Sequence, residues 1–277
     1  MNRLRHEILH ICGQAAAPIF AIRALREYAV RRGLIAAGYG DENYPALESK
    51  HLDNPRLFAN REDLISSMRS VEGGVIAEVG VAHGVFSEYL LNELRPRKFV
   101  ASDVFTMHEW DTYLGTFVNI LLHNITHLDY YRQKFADRHN QVVIEVGRSN
   151  FTLAKYPDKF FDLIYIDADH SYENVKQDAH LAAAKLADNG IIVFNDYTQF
   201  DYLHGLRYGV VKAVNELIIN DEWGVCGFAL QSAMYCDIAI HKPSGSSRVA
   251  SSAHKAAATQ KGSAPARAAL TAPSCTR

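Results

Sequence analysis

Five times between residues 74 and 196 the chain runs through a short, almost wholly apolar stretch and then stops on a glycine or an acid. The stretches are "GVIAEVG" from Gly74, "KFVASD" from Lys98, "QVVIEVG" from Gln141, "FFDLIYID" from Phe160 and "GIIVFND" from Gly190. Apolar runs of this length, without the alternation of a half-exposed strand, read as strands covered on both faces, the habit of parallel sheets. Helical spacing fills two of the gaps. "HGVFSEYLLNEL" carries Phe86, Leu90 and Leu94 on one side, and "SYENVKQDAHLAAAKLADNG" carries Val175, Ala179, Ala182 and Leu186, with Gly190 expected to end that helix in the left-handed conformation. A β-α-β unit therefore begins near residue 74. Further on, "VVKAVNELI" places Val210, Val214 and Leu217 inward, and "WGVCGFAL" and "MYCDIAIHK" read as a closing pair of strands. The expected fold class is α/β, a mostly parallel seven-stranded sheet with an antiparallel C-terminal strand.

Three regions follow from the same pattern: an N-terminal helical extension and connection over 1–71, a central domain over 72–242, and a tail over 243–277. In the first, "CGQAAAPIFAIRALREYAVRRG" reads as an amphipathic helix packed on the body or on a second subunit, which predicts a homo-oligomer. Arg23 and Arg26 interrupt its apolar run, so neither a compact secretion signal nor a membrane span is expected. "AAGYGDENYPALESKHLDNPRLF" reads as an irregular connection. The tail is rich in Ser, Ala, Gly and Pro and is expected to be disordered. It holds five of the 29 Lys and Arg residues and no acid, leaving 24 basic against 31 acidic residues elsewhere. A body near −7 is a poor nonspecific binder of nucleic acid. Cys12, Cys226, Cys236 and Cys275 form no metal-type pair and no dense disulfide framework, so a reducing cytoplasmic setting is expected. Residues 104–140 read as one or two helices, with two roles open: covering a sheet face, or forming a wall over the substrate on the ligand side of the sheet.

Charge concentrates where strands end. "YIDADHSYENVK" puts Asp167, Asp169 and His170 within four positions, and the fifth run ends on Asn195 and Asp196. Unpaired carboxylates are costly in a core, so such residues mark the edge of a site. The turn "EVGVAHGVFS" carries Glu78, Gly80 and Gly84 without the spacing of a dinucleotide fingerprint, and its glycines fit close approach of a ligand to the backbone. Asp103, at the end of the next run, is placed to accept hydrogen bonds from a ribose diol.

In the order of that turn, Asp103, "VGRS", "FDLIYIDADHSY" and "GIIVFND", the chain resembles the class I S-adenosylmethionine-dependent methyltransferases, specifically the metal-dependent O-methyltransferases and related bacterial enzymes with an "IDADHSY"-type segment. The resemblance covers roughly residues 72–240 and implies a Rossmann-like fold. It also implies that Glu78, Gly80 and Gly84 line the methionine and ribose end of the cofactor, that Asp103 binds the ribose hydroxyls, and that Gly147 and Ser149 lie near the adenine. Asp167, Asn195 and Asp196 match the ligands of a divalent metal, Mg²⁺ with Mn²⁺ or Ca²⁺ as alternatives, although the order of the last two is exchanged relative to the commoner Asp-Asn pair. His170 stands where the similar catechol-type enzymes have the lysine that takes the substrate proton; a neutral imidazole can do that work. The implied reaction is metal-assisted O-methylation of a hydroxylated small molecule such as a sugar, a catechol or a hydroxy-carboxylate, with Asp169, Tyr202, His204 and Arg207 as outer contacts. A noncatalytic binding or scaffolding protein on the same fold, or a nicotinamide-dependent oxidoreductase, is the alternative.

Overall fold

A computed structural model describes residue 25, residues 44–203 and residues 205–243, and divides the chain into two units, Met1–Tyr44 and Pro45–Arg277. Apart from Leu25, the expected N-terminal helix lies outside the described residues, as do the tail from residue 244, Cys12, Cys275 and His204.

The second unit is built on eight strands: β1 (Leu52–Phe58), β2 (Val75–Val79), β3 (Lys98–Asp103), β4 (Val142–Val146), β5 (Phe161–Ile166), β6 (Leu186–Phe194), β7 (Gly224–Ala229) and β8 (Asp237–His241). They lie in one sheet in the order β1-β7-β8-β6-β5-β2-β3-β4. Every neighbouring pair is parallel except the two made by β8, which runs antiparallel to both β7 and β6. The seven strands read from the sequence are all present in a Rossmann-like arrangement. The eighth, β1, falls in the stretch expected to be an irregular connection. Its residues are largely exposed, and it contains Asn54 and Pro55, so no apolar run announces it. What makes it a strand is the free edge of β7 beside it.

Successive side chains of a strand point to opposite faces, and both faces are covered. Val75, Ala77 and Val79 of β2 join Ile164 and Ile192 against α4 (Tyr172–Lys185) and α5 (Val210–Asn220). Ile76, Phe99, Leu163, Tyr165 and Val193 pack on the other side against α1 (Arg61–Ser66), α2 (Val85–Leu94) and α3 (His127–Lys134). Full burial on both faces removes the hydrophobic alternation, which is why the central runs are apolar throughout.

The helix α4 stops at Lys185, four residues before the expected end, and Gly190 is a strand residue without a left-handed φ. A Cβ at Gly190 would stand 2.6 Å from Leu186 Cγ and 2.9 Å from the Asp162 carbonyl oxygen, so this glycine serves close packing in β6. In residues 104–140 only α3 is a sizeable helix. Before it come a small hairpin, Thr112–Tyr113 with Thr116–Phe117, and one turn of helix, Val118–Leu121. Among the described residues no helix is long and apolar enough to cross a membrane.

Candidate active site

The strand order reverses at β2, which pairs β3 on one side and β5 on the other, and ligands bind such sheets in the crevice beyond the strand ends at that point. A cleft of about 1640 Å³ opens there. Its lining takes Glu78 and Gly80 from the end of β2, Asp103 from β3, Gly147 and Ser149 after β4, Asp167 and His170 after β5, and Asn195 and Asp196 after β6. Of the sequence-predicted site residues, only Gly84 is not on the cleft surface; it begins α2 just behind the turn.

The turn after β2 is shaped by steric necessity. Gly80 has φ +84°, and a Cβ there would lie 1.9 Å from the Asp167 carbonyl oxygen. This glycine lets the β2 turn touch the end of β5. Val81 N donates to Asp103 Oδ2 (2.8 Å) and Phe105 N to Asp103 Oδ1 (2.7 Å), so the carboxylate is fixed by two backbone donors and each oxygen retains a lone pair for a ligand. Glu78 is buried and accepts from Ser87 Oγ; burial pushes its carboxyl well above the ordinary range. At the far end, Ser149 Oγ donates to Asp178, which burial raises to about 6. Two buried polar atoms of cleft residues, His83 Nδ1 and Asn150 Oδ1, have no protein partner. Such atoms await a polar ligand, and a nucleoside-type cofactor fits this half of the cleft.

The other half is acidic. His170 Nε2 is buried without a hydrogen-bond partner, 3.4 Å from Asp196 Oδ2 and 3.7 Å from Asp167 Oδ1. Its ring stacks on Tyr208, with centroids 4.4 Å apart and planes at 14°. Burial holds the imidazole below its ordinary range, so it is neutral near neutral pH. Burial also raises Asp196 to about 7, helped by the Asp167 and Asp237 charges. Asp167 rises to about 6 for the same first reason, opposed by Arg61.

Sequence reasoning missed three groups behind this floor. Arg61 comes from the first turn of α1, with Nη1 3.7 Å from Asp167 Oδ2 and 3.3 Å from the Tyr165 hydroxyl, and its guanidinium lies 4.1 Å over the Phe86 ring. Asp237, fully buried at the start of β8, accepts from Tyr165 Oη (2.7 Å), Asn195 Nδ2 (2.9 Å) and Gln231 Nε2 (3.3 Å). Gln231 Oε1 accepts from Arg61 N at 3.3 Å. The one available signal was the acid inside the apolar run "MYCDIAIHK"; Arg61 had none. Asn60 caps α1 by accepting from Asp63 N at 2.7 Å. Asn60→Ala is expected to cost about 1 kcal/mol in chemical denaturation and to loosen the anchor of Arg61.

Of the expected outer contacts, Asp169 lines the cleft and accepts from Ser171 N at 2.7 Å. Tyr202, whose hydroxyl donates to the Ala233 carbonyl, and Arg207 lie off the cleft wall. Among the described residues no three His, Cys, Asp or Glu side chains are grouped to hold a metal. A third protein donor to a cation at the acidic pair would have to be a neutral oxygen, such as that of Asn195. Two carboxylates whose ionisation is opposed by burial, together with an amide oxygen, form a donor set that suits a hard divalent cation.

The sheet order, with its single antiparallel strand, and a cleft at the switch point make a Rossmann-like α/β fold consistent with that of class I S-adenosylmethionine-dependent methyltransferases. Residues 77–197 match the family model described as a methyltransferase domain. No curated protein matches it. Solved structures similar to it include a putative caffeoyl-CoA O-methyltransferase from Staphylococcus aureus, at 20% identity, 87% of this chain, 99% of that one and a TM-score of 0.46. A protein from Corynebacterium glutamicum is 15% identical over 87% of this chain and 98% of its own, with a TM-score of 0.45. An O-methyltransferase family protein from Burkholderia thailandensis is 12% identical over 67% of this chain, with a TM-score of 0.48; the match spans 56% of that chain.

Proposed function

We propose that the protein methylates a hydroxyl oxygen of a small molecule, with S-adenosylmethionine as donor, a divalent cation beside the reacting oxygen and His170 as proton acceptor. The observation that carries this reading is His170 Nε2, buried, unpartnered and flanked by two carboxylates in the same cleft as the glycine turn and Asp103.

Glu78 and Gly80 line the methionine and ribose end, with Gly84 behind them starting α2, Asp103 takes the ribose hydroxyls, and Gly147 and Ser149 flank the adenine. The cofactor supplies a methyl group on a positively charged sulfur. Asp167, Asp196 and Asn195 would hold a divalent cation such as Mg²⁺, whose charge would favour the ionised form of the hydroxyl. His170 Nε2 is placed to take the proton of an acceptor hydroxyl, which would leave that oxygen free to receive the methyl group the cofactor supplies when bound. The neighbouring carboxylates favour the imidazolium that results, and Tyr208 holds the ring in place. Trp110, Leu114, Leu203 and Met234, all exposed apolar residues of the cleft wall, suit an acceptor with an apolar or ring-shaped body.

Calorimetric titration is expected to show S-adenosylmethionine binding and no NAD binding. Methyl-labelled donor is expected to pass its label to members of a panel of catechols, sugars and hydroxy-carboxylates in a chelator-sensitive reaction. Binding of NAD in place of S-adenosylmethionine would overturn the assignment, and transfer unaffected by chelation would remove the cation from it.

A further inference from the structure

The fully buried carboxylate of Asp237 takes no part in the chemistry above and does not line the cleft. An acid inside the sheet is costly unless its oxygens are satisfied, and here three donors converge on it: Tyr165 Oη and Asn195 Nδ2 at 2.7 and 2.9 Å, and Gln231 Nε2 at 3.3 Å. An acceptor with three donors fixes which end of the Asn195 amide it meets. The NH₂ group must face Asp237, and the carbonyl oxygen is the atom Asn195 has left for the cleft it lines.

This bears on the exchanged order of Asn195 and Asp196. A carboxylate at 195 would have to share the site with Asp237, acid against acid at hydrogen-bond distance, whereas an amide there gains a partner. We infer that Asp237 is a positioning residue that holds Asn195 by its Nδ2 so that Oδ1 serves as the neutral third protein ligand of the cation, beside Asp167 and Asp196. The inference rests on the metal-assisted reading. Tyr165 ties the same acid to Arg61, which faces Asp167, so two of the three ligands are supported from one buried network.

The test is Mn²⁺ binding, followed by electron paramagnetic resonance, in the wild type, Asn195→Asp, Asp237→Asn and the double exchange Asn195→Asp/Asp237→Asn. The wild type is expected to bind one Mn²⁺. Asp237→Asn is expected to weaken that binding roughly 10- to 100-fold, the range found for lost outer partners of metal ligands. The double exchange restores one acid and one amide and should recover much of the affinity relative to either single change. A merely structural role would lower the melting temperature without this reciprocal rescue. Calorimetric S-adenosylmethionine binding reports whether each variant is folded, and if Asp237→Asn fails to fold, the double exchange against Asn195→Asp still decides. Folded Asp237→Asn with unchanged Mn²⁺ affinity, or a double exchange no better than the singles, would overturn the positioning role. A wild type that binds S-adenosylmethionine but no Mn²⁺ would overturn the metal-assisted reading, and this inference with it.

Discussion

Replacing His170 by Ala is expected to lower kcat for methyl transfer by roughly 10² to 10⁴, the range for loss of a positioned proton acceptor, while leaving calorimetric S-adenosylmethionine binding near the wild-type value. The reason for the split is spatial. His170 stands with Asp167 and Asp196 after β5 and β6, whereas Asp103, Gly147 and Ser149 close the other half of the cleft. His170 is not among the buried residues of the core and meets it only through Tyr208 at its edge, so the fold should survive the change. A deficit confined to kcat means that the lost interaction belongs to the transition state rather than to binding. His170→Gln, which keeps a polar side chain but cannot take a proton at neutral pH, should be nearly as slow. If either variant retained wild-type kcat in a single-turnover assay, His170 would not be the proton acceptor, and one of the flanking carboxylates would have to take its place.

The sequence was most legible where burial is most complete. All seven apolar runs became strands because a strand covered on both faces has no choice of side-chain chemistry, and the polar ends of the five from β2 to β6 fell on one edge because those strands are parallel and share a direction. That geometry brought residues as distant as Glu78 and Asp196 to one cleft, and it could be anticipated from strand ends alone. The end of α4 was misread because a glycine after an alanine-rich run has two explanations. Helix termination is a local one; the tight contact of Gly190 with Leu186 and Asp162 in the sheet is not, and it prevailed. Strand β1 was missed because an edge strand draws its hydrogen bonds from a neighbour 170 residues later and needs no apolar pattern of its own. Arg61 and Asp237 were invisible for a similar reason. Their roles come from partners on other elements, Asp167, Tyr165, Asn195 and Gln231, and no spacing along the chain encodes such a meeting.

The turn after β2 gives the largest expected effect on stability. Gly80→Ala should destabilise the protein by roughly 2–4 kcal/mol in urea denaturation, combining the cost of a left-handed backbone for a residue with a Cβ and the cost of overpacking. The added methyl would lie 1.9 Å from the Asp167 carbonyl oxygen, 2.5 Å from its carbon and 2.9 Å from Ala168 Cα. All three are backbone atoms, so no side chain can swing aside, and either the turn or the end of β5 must move. Gly115 supplies the control. Its φ of +79° is close to the +84° of Gly80, but nothing lies within 4 Å of its Cβ position, so Gly115→Ala should lose only the conformational share, about 1 kcal/mol. The difference between the two variants isolates the contact between the turn and β5. Because the displaced group is Asp167 itself, folded Gly80→Ala should also lose methyl transfer, whereas Gly115→Ala should not lose it through this contact. Equal stability losses in the two variants would mean that the β2 turn and the β5 end are not held against each other, and that the cofactor half and the acidic half of the cleft are not joined at this point.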